Sequence, residues 1–229
     1  MQKLNYIYLL LVLNFVSCEQ YLDIKPVGQV IPKSVEEYRS FMTSAYAISK
    51  SYKVLTTYRG DELSLQSTAG GIEQYKDIFI WNDLNPDIST IAFPYASLYN
   101  TIFYSNHVIN NATTMEGDVV AKNQLLSEAY ALRAMTYFEL VNLYAKPYNK
   151  ATASTDAAVP ITTEYDSEKK YPVKTVQEVY NLILSDIEQA EALENMKQQA
   201  VGYNYRFSAI AVKALKSRVY LYQHEWQKA

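Results

Sequence analysis

Between Ser51 and Asp87 the chain loses regular hydrophobic periodicity, and side chains able to do chemistry crowd together there. Tyr58, Arg59, Asp61 and Glu62 lie in the run Tyr58-Arg59-Gly60-Asp61-Glu62, followed by Tyr75 and by Trp81-Asn82-Asp83. Aromatic faces offer flat apolar surface to the C–H patches of a ligand, and planar guanidinium, carboxylate and amide groups match adjacent hydroxyls in pairs. Outside the predicted helices these types cluster nowhere else. Two readings stay open: a loop that touches ligand, or a surface loop whose Tyr75 and Trp81 tuck into the core.

Other chemistries find less support. Asp83-x-Asn85-x-Asp87 resembles the start of a calcium loop, but Ile88 stands where the loop needs Gly and Pro94 where it needs a bidentate Glu. Turn formation is the better reading. His107 and His224 are distant in sequence and fall in predicted helices, and no Ser sits in a Gly-x-Ser-x-Gly elbow. Ala69-Gly70-Gly71 lacks the Lys-Ser/Thr of a phosphate loop. The 24 acidic residues offer carboxylate pairs, but nothing raises one pair above the rest. No catalytic residue, metal site or cofactor is therefore expected. A net charge of −3 offers no basic footprint for nucleic acid.

The single cysteine has a different meaning. Lys3 precedes an almost unbroken apolar run, Tyr6–Val16, that rises about 16 Å as a helix. A membrane span needs ~30 Å, so residues 1–17 read as a secretory segment. Phe15-Val16-Ser17-Cys18 then resembles the bacterial lipoprotein box, with Phe15 where Leu is usual. Acylation of Cys18 would anchor the chain stably, since several acyl chains hold where one does not.

The elements that must position the loop are helical. Residues 18–33 form an extended leader with Pro26 and Pro32, and Ser34-x-x-Glu37 is a capping box opening a helix whose buried stripe should include Phe41, Ala45 and Ile48. A second helix is expected over Tyr95–Ala112, with Leu98, Tyr99, Ile102 and Ile109 on one side. The strongest signal runs from Asp118 to Tyr144. There Leu125, Ala129, Leu132, Met135 and Leu140 define one apolar face, and Tyr130, Ala134, Tyr137, Phe138 and Val141 a second. A helix apolar on two faces packs between neighbours. Lys146–Pro172, with three prolines, reads as a loop. Thr175-x-x-Glu178 caps a helix continuing to about Leu193, and a last helix covers Phe207–His224. Ala131-Leu132-Arg133-Ala134-Met135-Thr136-Tyr137 is echoed by Ala214-Leu215-Lys216-Ser217-Arg218-Val219-Tyr220. Helical hairpins repeating at about 34 residues fit that echo only with a long inserted loop, which Lys146–Pro172 supplies. Many of the 22 Tyr fall in these helices, so the excess mainly reports helix packing.

These landmarks, in order, resemble the SusD/RagB family of outer-membrane nutrient-binding lipoproteins. The likeness begins at Ser17-Cys18-Glu19-Gln20-Tyr21-Leu22-Asp23-Ile24-Lys25-Pro26 and continues at Leu98-Tyr99-Asn100-Thr101-Ile102. It is densest over Glu128–Phe138 and runs through Val159-Pro160-Ile161, Thr175–Tyr180 and Arg206-Phe207-Ser208. Phe93 stands where the family often has Trp.

The resemblance implies a mostly α fold of tetratricopeptide-like hairpins with a loop-rich insertion. Residues 34–229 would be an N-terminal helical domain, incomplete relative to the longer family members. It implies a lipid-anchored protein of the cell outer membrane, with no enzyme activity. Such a protein would capture oligosaccharide or peptide ligands and hand them to a TonB-dependent, SusC-like transporter. Tyr58, Arg59, Asp61, Tyr75, Trp81, Asn82 and Asp83 would contact ligand. A helical-repeat scaffold for protein assembly in the envelope is the alternative.

Overall fold

The computed structural model describes residues 32–48, 52–68, 70–164, 166, 168–193 and 196–229. The expected secretory segment, Cys18 and nearly all of the expected leader lie outside the described residues. Lys33–Ala229 forms one compact unit.

Helix α1, Val35–Ile48, starts where the capping box placed it. The Glu37 backbone N–H donates to Ser34 Oγ at 3.3 Å, and the Ser34 N–H donates to Glu37 Oε2 at 3.0 Å. Its buried stripe is rotated from the expected one. Val35, Tyr38, Met42 and Ala45 are buried, whereas Phe41 and Ile48 are only half-buried at the edge. Short helices α2, Lys53–Thr57, and α3, Lys76–Phe79, punctuate the irregular stretch that follows.

Helix α4 is Tyr95–Asn110 and α5 is Val119–Tyr144, the latter capped by Asp118, whose carboxylate accepts the Ala121 N–H at 2.8 Å. Between them Gly117 has φ 132°, and a Cβ there would meet Val35 Cγ2 at 2.9 Å. Only glycine lets the turn lie this close to α1. Helix α5 packs between neighbours as its two faces demand, against α4, α1 and α6, Val176–Ala192. Helix α7, Ala209–Tyr222, closes on α6 through Val212, Leu215 and Val219. It is shorter than expected, which leaves His224 outside any helix. Ala131 is buried but its counterpart Ala214 is exposed, because α5 is covered on both faces and α7 on one.

The fold is thus mostly α, with hairpins of tetratricopeptide type. The stretch 146–172 is not wholly loop. Ala157–Pro160 forms strand β1, paired antiparallel with β2, Val173–Thr175, through Ala157 opposite Thr175 and Pro160 opposite Val173. Two such short strands are stable only when packed on something larger, and β1 lies on α5 and α6.

Polar groups inside the bundle set the register of the helices. Arg133 on α5 holds Asp186 on α6 with two bonds, Nε to Oδ2 at 2.8 Å and Nη2 to Oδ1 at 2.6 Å. Its Nη1 donates to Asn106 Oδ1 on α4 at 2.7 Å. Asn106 in turn donates to the Thr162 carbonyl at 2.8 Å, and Tyr137 both donates to that carbonyl and accepts the Thr162 N–H. Glu128 is a second hub, accepting from Arg39, Tyr46 and Gln124 at 2.6, 3.2 and 2.9 Å.

Burial pushes the Asp186 carboxyl up, and the guanidinium forked onto it pulls it back toward the ionised form. Removing one partner strands the other. Asp186→Ala should lower the unfolding free energy by about 3–5 kcal/mol, and the apolar pair Arg133→Met/Asp186→Leu should recover most of that loss in urea denaturation.

The α6 capping box makes a pH prediction. Glu178 is held down to about 2 by the Lys174 ammonium, then by the backbone N–H and hydroxyl of Thr175. A depressed carboxylate stabilises the fold above its ordinary value of 4.5, and that contribution disappears as pH falls toward about 2. The difference in Tm between the wild type and Glu178→Gln, present at pH 7, should therefore close across that window.

Candidate ligand-binding site

The irregular stretch is built from short turns rather than from a helix face. Helix α3 ends at Phe79, and two residues later Trp81 adopts φ 59°, a left-handed backbone that costs a non-glycine residue about 1–3 kcal/mol. This turn throws the indole outward. Trp81 is 61% exposed, so it does not tuck into the core.

Arg59, just past α2, reaches the same place. Its guanidinium carbon lies 4.8 Å from the Trp81 ring centroid and 4.9 Å from that of Phe93, and its Nη2 pairs with Asp83 Oδ1. Cation–π contacts of this kind contribute about 0.5–2 kcal/mol each. The pair with Asp83 cancels the charge, so the cluster presents aromatic surface and polar atoms with little net field. Arg59 Nε is buried without a hydrogen-bond partner among the described residues. Tyr58 and Tyr75 sit ring against ring, centroids 5.0 Å apart, each half-buried.

The structure thus joins Arg59, Trp81 and Asp83, and pairs Tyr58 with Tyr75. Asn82 also serves the loop. Its Nδ2 donates to Asp77 Oδ1 at 3.0 Å and to the Asn85 carbonyl at 2.9 Å, so both protons of the amide nitrogen are spent within the turn. Asp61 and Glu62 are exposed and make no ion pair among the described residues. Asp87 turns the chain as expected, its Oδ1 accepting from the Ser89 N–H at 2.8 Å and hydroxyl at 2.7 Å.

Two residues of this region carry no signal that residue type alone would single out for the site. Phe93 backs the Arg59 guanidinium, and its position just before Pro94 and α4 was the available clue. Asp77 belongs to no motif at all and is recognisable only from its contacts. The site stands outward on the surface with Trp81, and concavities of about 860 and 410 Å³ elsewhere are lined by other residues, among them Tyr148 and Trp226 in the first and Asn100 and Phe103 in the second.

His107 belongs to the packing. Its ring lies 5.1 Å from Phe41 and 6.1 Å from Phe103, nearly parallel to both, and burial lowers its pKa. Among the described residues no three His, Cys, Asp or Glu side chains gather as metal ligands would.

Known proteins share this architecture. A solved SusD-superfamily protein from Bacteroides thetaiotaomicron superposes with a TM-score of 0.74 at 24% identity, covering 85% of this chain and 44% of that one. A laminarin-binding SusD-like protein superposes with a TM-score of 0.69 at 23% identity, covering 86% and 42%. Two SusD-like proteins of Formosa agariphila are each 29% identical, over 224 and 245 residues. The matches take in 93% and 100% of this chain but 41% and 45% of the relatives, so the chain spans less than half their length. A SusD-like family profile, described as starch-binding and associating with the outer membrane, matches residues 20–221. That match takes in most of the sequence, and the chain belongs to the SusD-like family.

Proposed function

We propose that this chain is part of a lipid-anchored binding protein of the outer membrane that captures oligosaccharide without chemically altering it. The observation that carries this reading is the shelf formed by Arg59, Trp81 and Asp83. A sugar ring has an apolar C–H face and a rim of paired hydroxyls. An exposed indole, backed on one side of its ring by the Arg59 guanidinium, suits the face, and the exposed Asp83 carboxylate beside it suits the rim. The described starch binding of the family and the laminarin binding named for one structural neighbour agree with this chemistry. Tyr58 and Tyr75 add aromatic surface, and the exposed carboxylate of Asp61, two residues beyond Arg59, can accept further hydroxyls.

No helix among the described residues is long and apolar enough to cross a membrane. In this reading the membrane attachment is the acylated Cys18, and a TonB-dependent transporter of SusC type receives the ligand.

Affinity electrophoresis of the chain through gels containing starch or laminarin tests the site. The wild type should be retarded and Trp81→Ala should run freely while keeping its helical circular dichroism. Equal retardation of both proteins would remove Trp81 and its neighbours from the binding surface. Separately, Cys18→Ser should move the protein out of the membrane fraction, and a variant that stays there would end the anchoring role of Cys18.

A further inference from the structure

Residues 82–90 form an exposed loop carrying Asp83 and directly following Trp81. Its two large apolar side chains anchor nothing, with Leu84 at 92% and Ile88 at 103% exposure. Such a loop would ordinarily sample many conformations, because no buried apolar contact offsets its entropy. Its backbone is nonetheless tied down at both ends, and the ties converge on one side chain.

Asp77, on α3, is only 9% exposed. Its Oδ1 accepts from Asn82 Nδ2 at 3.0 Å, at the start of the loop. Its Oδ2 accepts from the Asp87 backbone N–H at 2.5 Å and from the Thr90 hydroxyl at 3.0 Å, at the far end. The Asp77 carbonyl also takes the Asn82 N–H at 2.9 Å. Beyond the loop, the Ile91 N–H donates to the Gln74 carbonyl at 3.1 Å, beside the same short helix.

All three groups around the carboxylate are serving as donors, and no cation lies within ion-pair distance of it among the described residues. Such donors favour the ionised form, and the Asp77 carboxyl is accordingly lowered, first by the Asp87 N–H. An amide would replace it poorly, since its NH2 would face the Asp87 N–H or the Asn82 Nδ2, and turning the Asn82 amide to accept it would give up the Asn85 carbonyl.

We infer that Asp77 is the positioning residue of the candidate site: it folds the loop back on α3 and so holds Trp81 in its left-handed turn beside Arg59 before any ligand arrives. The inference rests on the proposed ligand-binding reading only for its purpose, because the positioning is a property of the free chain. A shelf assembled in advance spares the ligand the cost of ordering the loop.

The test uses the full chain with Trp226→Phe, so that Trp81 is the single indole. In Asp77→Asn, fluorescence anisotropy of Trp81 should fall. Amide exchange across residues 82–91 should quicken at least about tenfold, the expected loss for a charged hydrogen-bond acceptor. Exchange in α5 and α6 should stay as in the parent. Thr90→Val and Asn82→Ala each remove one tie without touching Asp77 and should give smaller changes in the same direction, which keeps the test open if Asp77→Asn fails to fold. Unaltered Trp81 anisotropy and loop exchange in these variants would overturn the inference. The same proteins, run through starch and laminarin gels, separate the two ideas. A loosened Trp81 with unchanged retardation leaves Asp77 as the positioning residue and removes the shelf as the glycan site.

Discussion

The fork of Arg133 on Asp186 is the contact on which the helical frame depends. Taken alone, a buried ion pair is weak evidence for stability, because desolvation of both charges offsets their attraction. Its effect here is on arrangement. The guanidinium has one geometry for two carboxylate oxygens and a third direction for Asn106, so α4, α5 and α6 meet in a single register. Apolar contacts among Leu132, Tyr137, Ile183 and Ile187 tolerate small slips. A bidentate pair tolerates none without stranding a charge.

From that register follow the attachments that shape the irregular parts. Asn106 and Tyr137 hold the chain at Thr162, and Tyr99 donates to the Pro160 carbonyl at 2.7 Å, so β1 is laid across the bundle by hydrogen bonds from two helices. Glu128 does the same for the stretch before α7. Tyr46, bonded to Glu128, accepts the Phe207 N–H at 3.0 Å, and Gln124 donates to the Phe207 carbonyl at 3.3 Å. The helices are thus the rigid part, and buried polar side chains carry their rigidity into connections that bury little apolar surface.

The candidate site repeats this pattern on a smaller scale. Asp77 plays toward its loop the part that Arg133 plays toward the bundle, except that it gathers neutral donors rather than an opposite charge. The strained turn at Trp81 persists because the surrounding bonds over-determine it. An aromatic side chain held outward at the cost of backbone strain and lost burial belongs with function more readily than with packing.

Much of the frame was legible without coordinates. Ser34 and Thr175 act through neighbours three residues along the chain, so capping chemistry marks where α1 and α6 begin. The two apolar faces of α5 declared a central helix, since helical periodicity is also a local property. Residue types alone likewise picked out the stretch holding Tyr58, Arg59, Trp81 and Asp83. What local pattern could not decide was partnership across distance. It chose Phe41 and Ile48 beside Ala45 for a stripe that Ala45 shares with Tyr38 and Met42, because the rotation of α1 answers to the neighbours it meets. It missed β1, whose pairing exists only on the surface of α5 and α6, and it gave no sign that the Asn82 amide nitrogen bonds to Asp77. Sequence by itself determined the long helices, their order and the chemistry gathered in the irregular stretch, all of which depend on residues close along the chain. Tertiary structure decided which of those residues stand outward together and which are consumed in holding them, because a hydrogen bond is satisfied by whatever the fold brings within about 3 Å, however far away it lies in sequence.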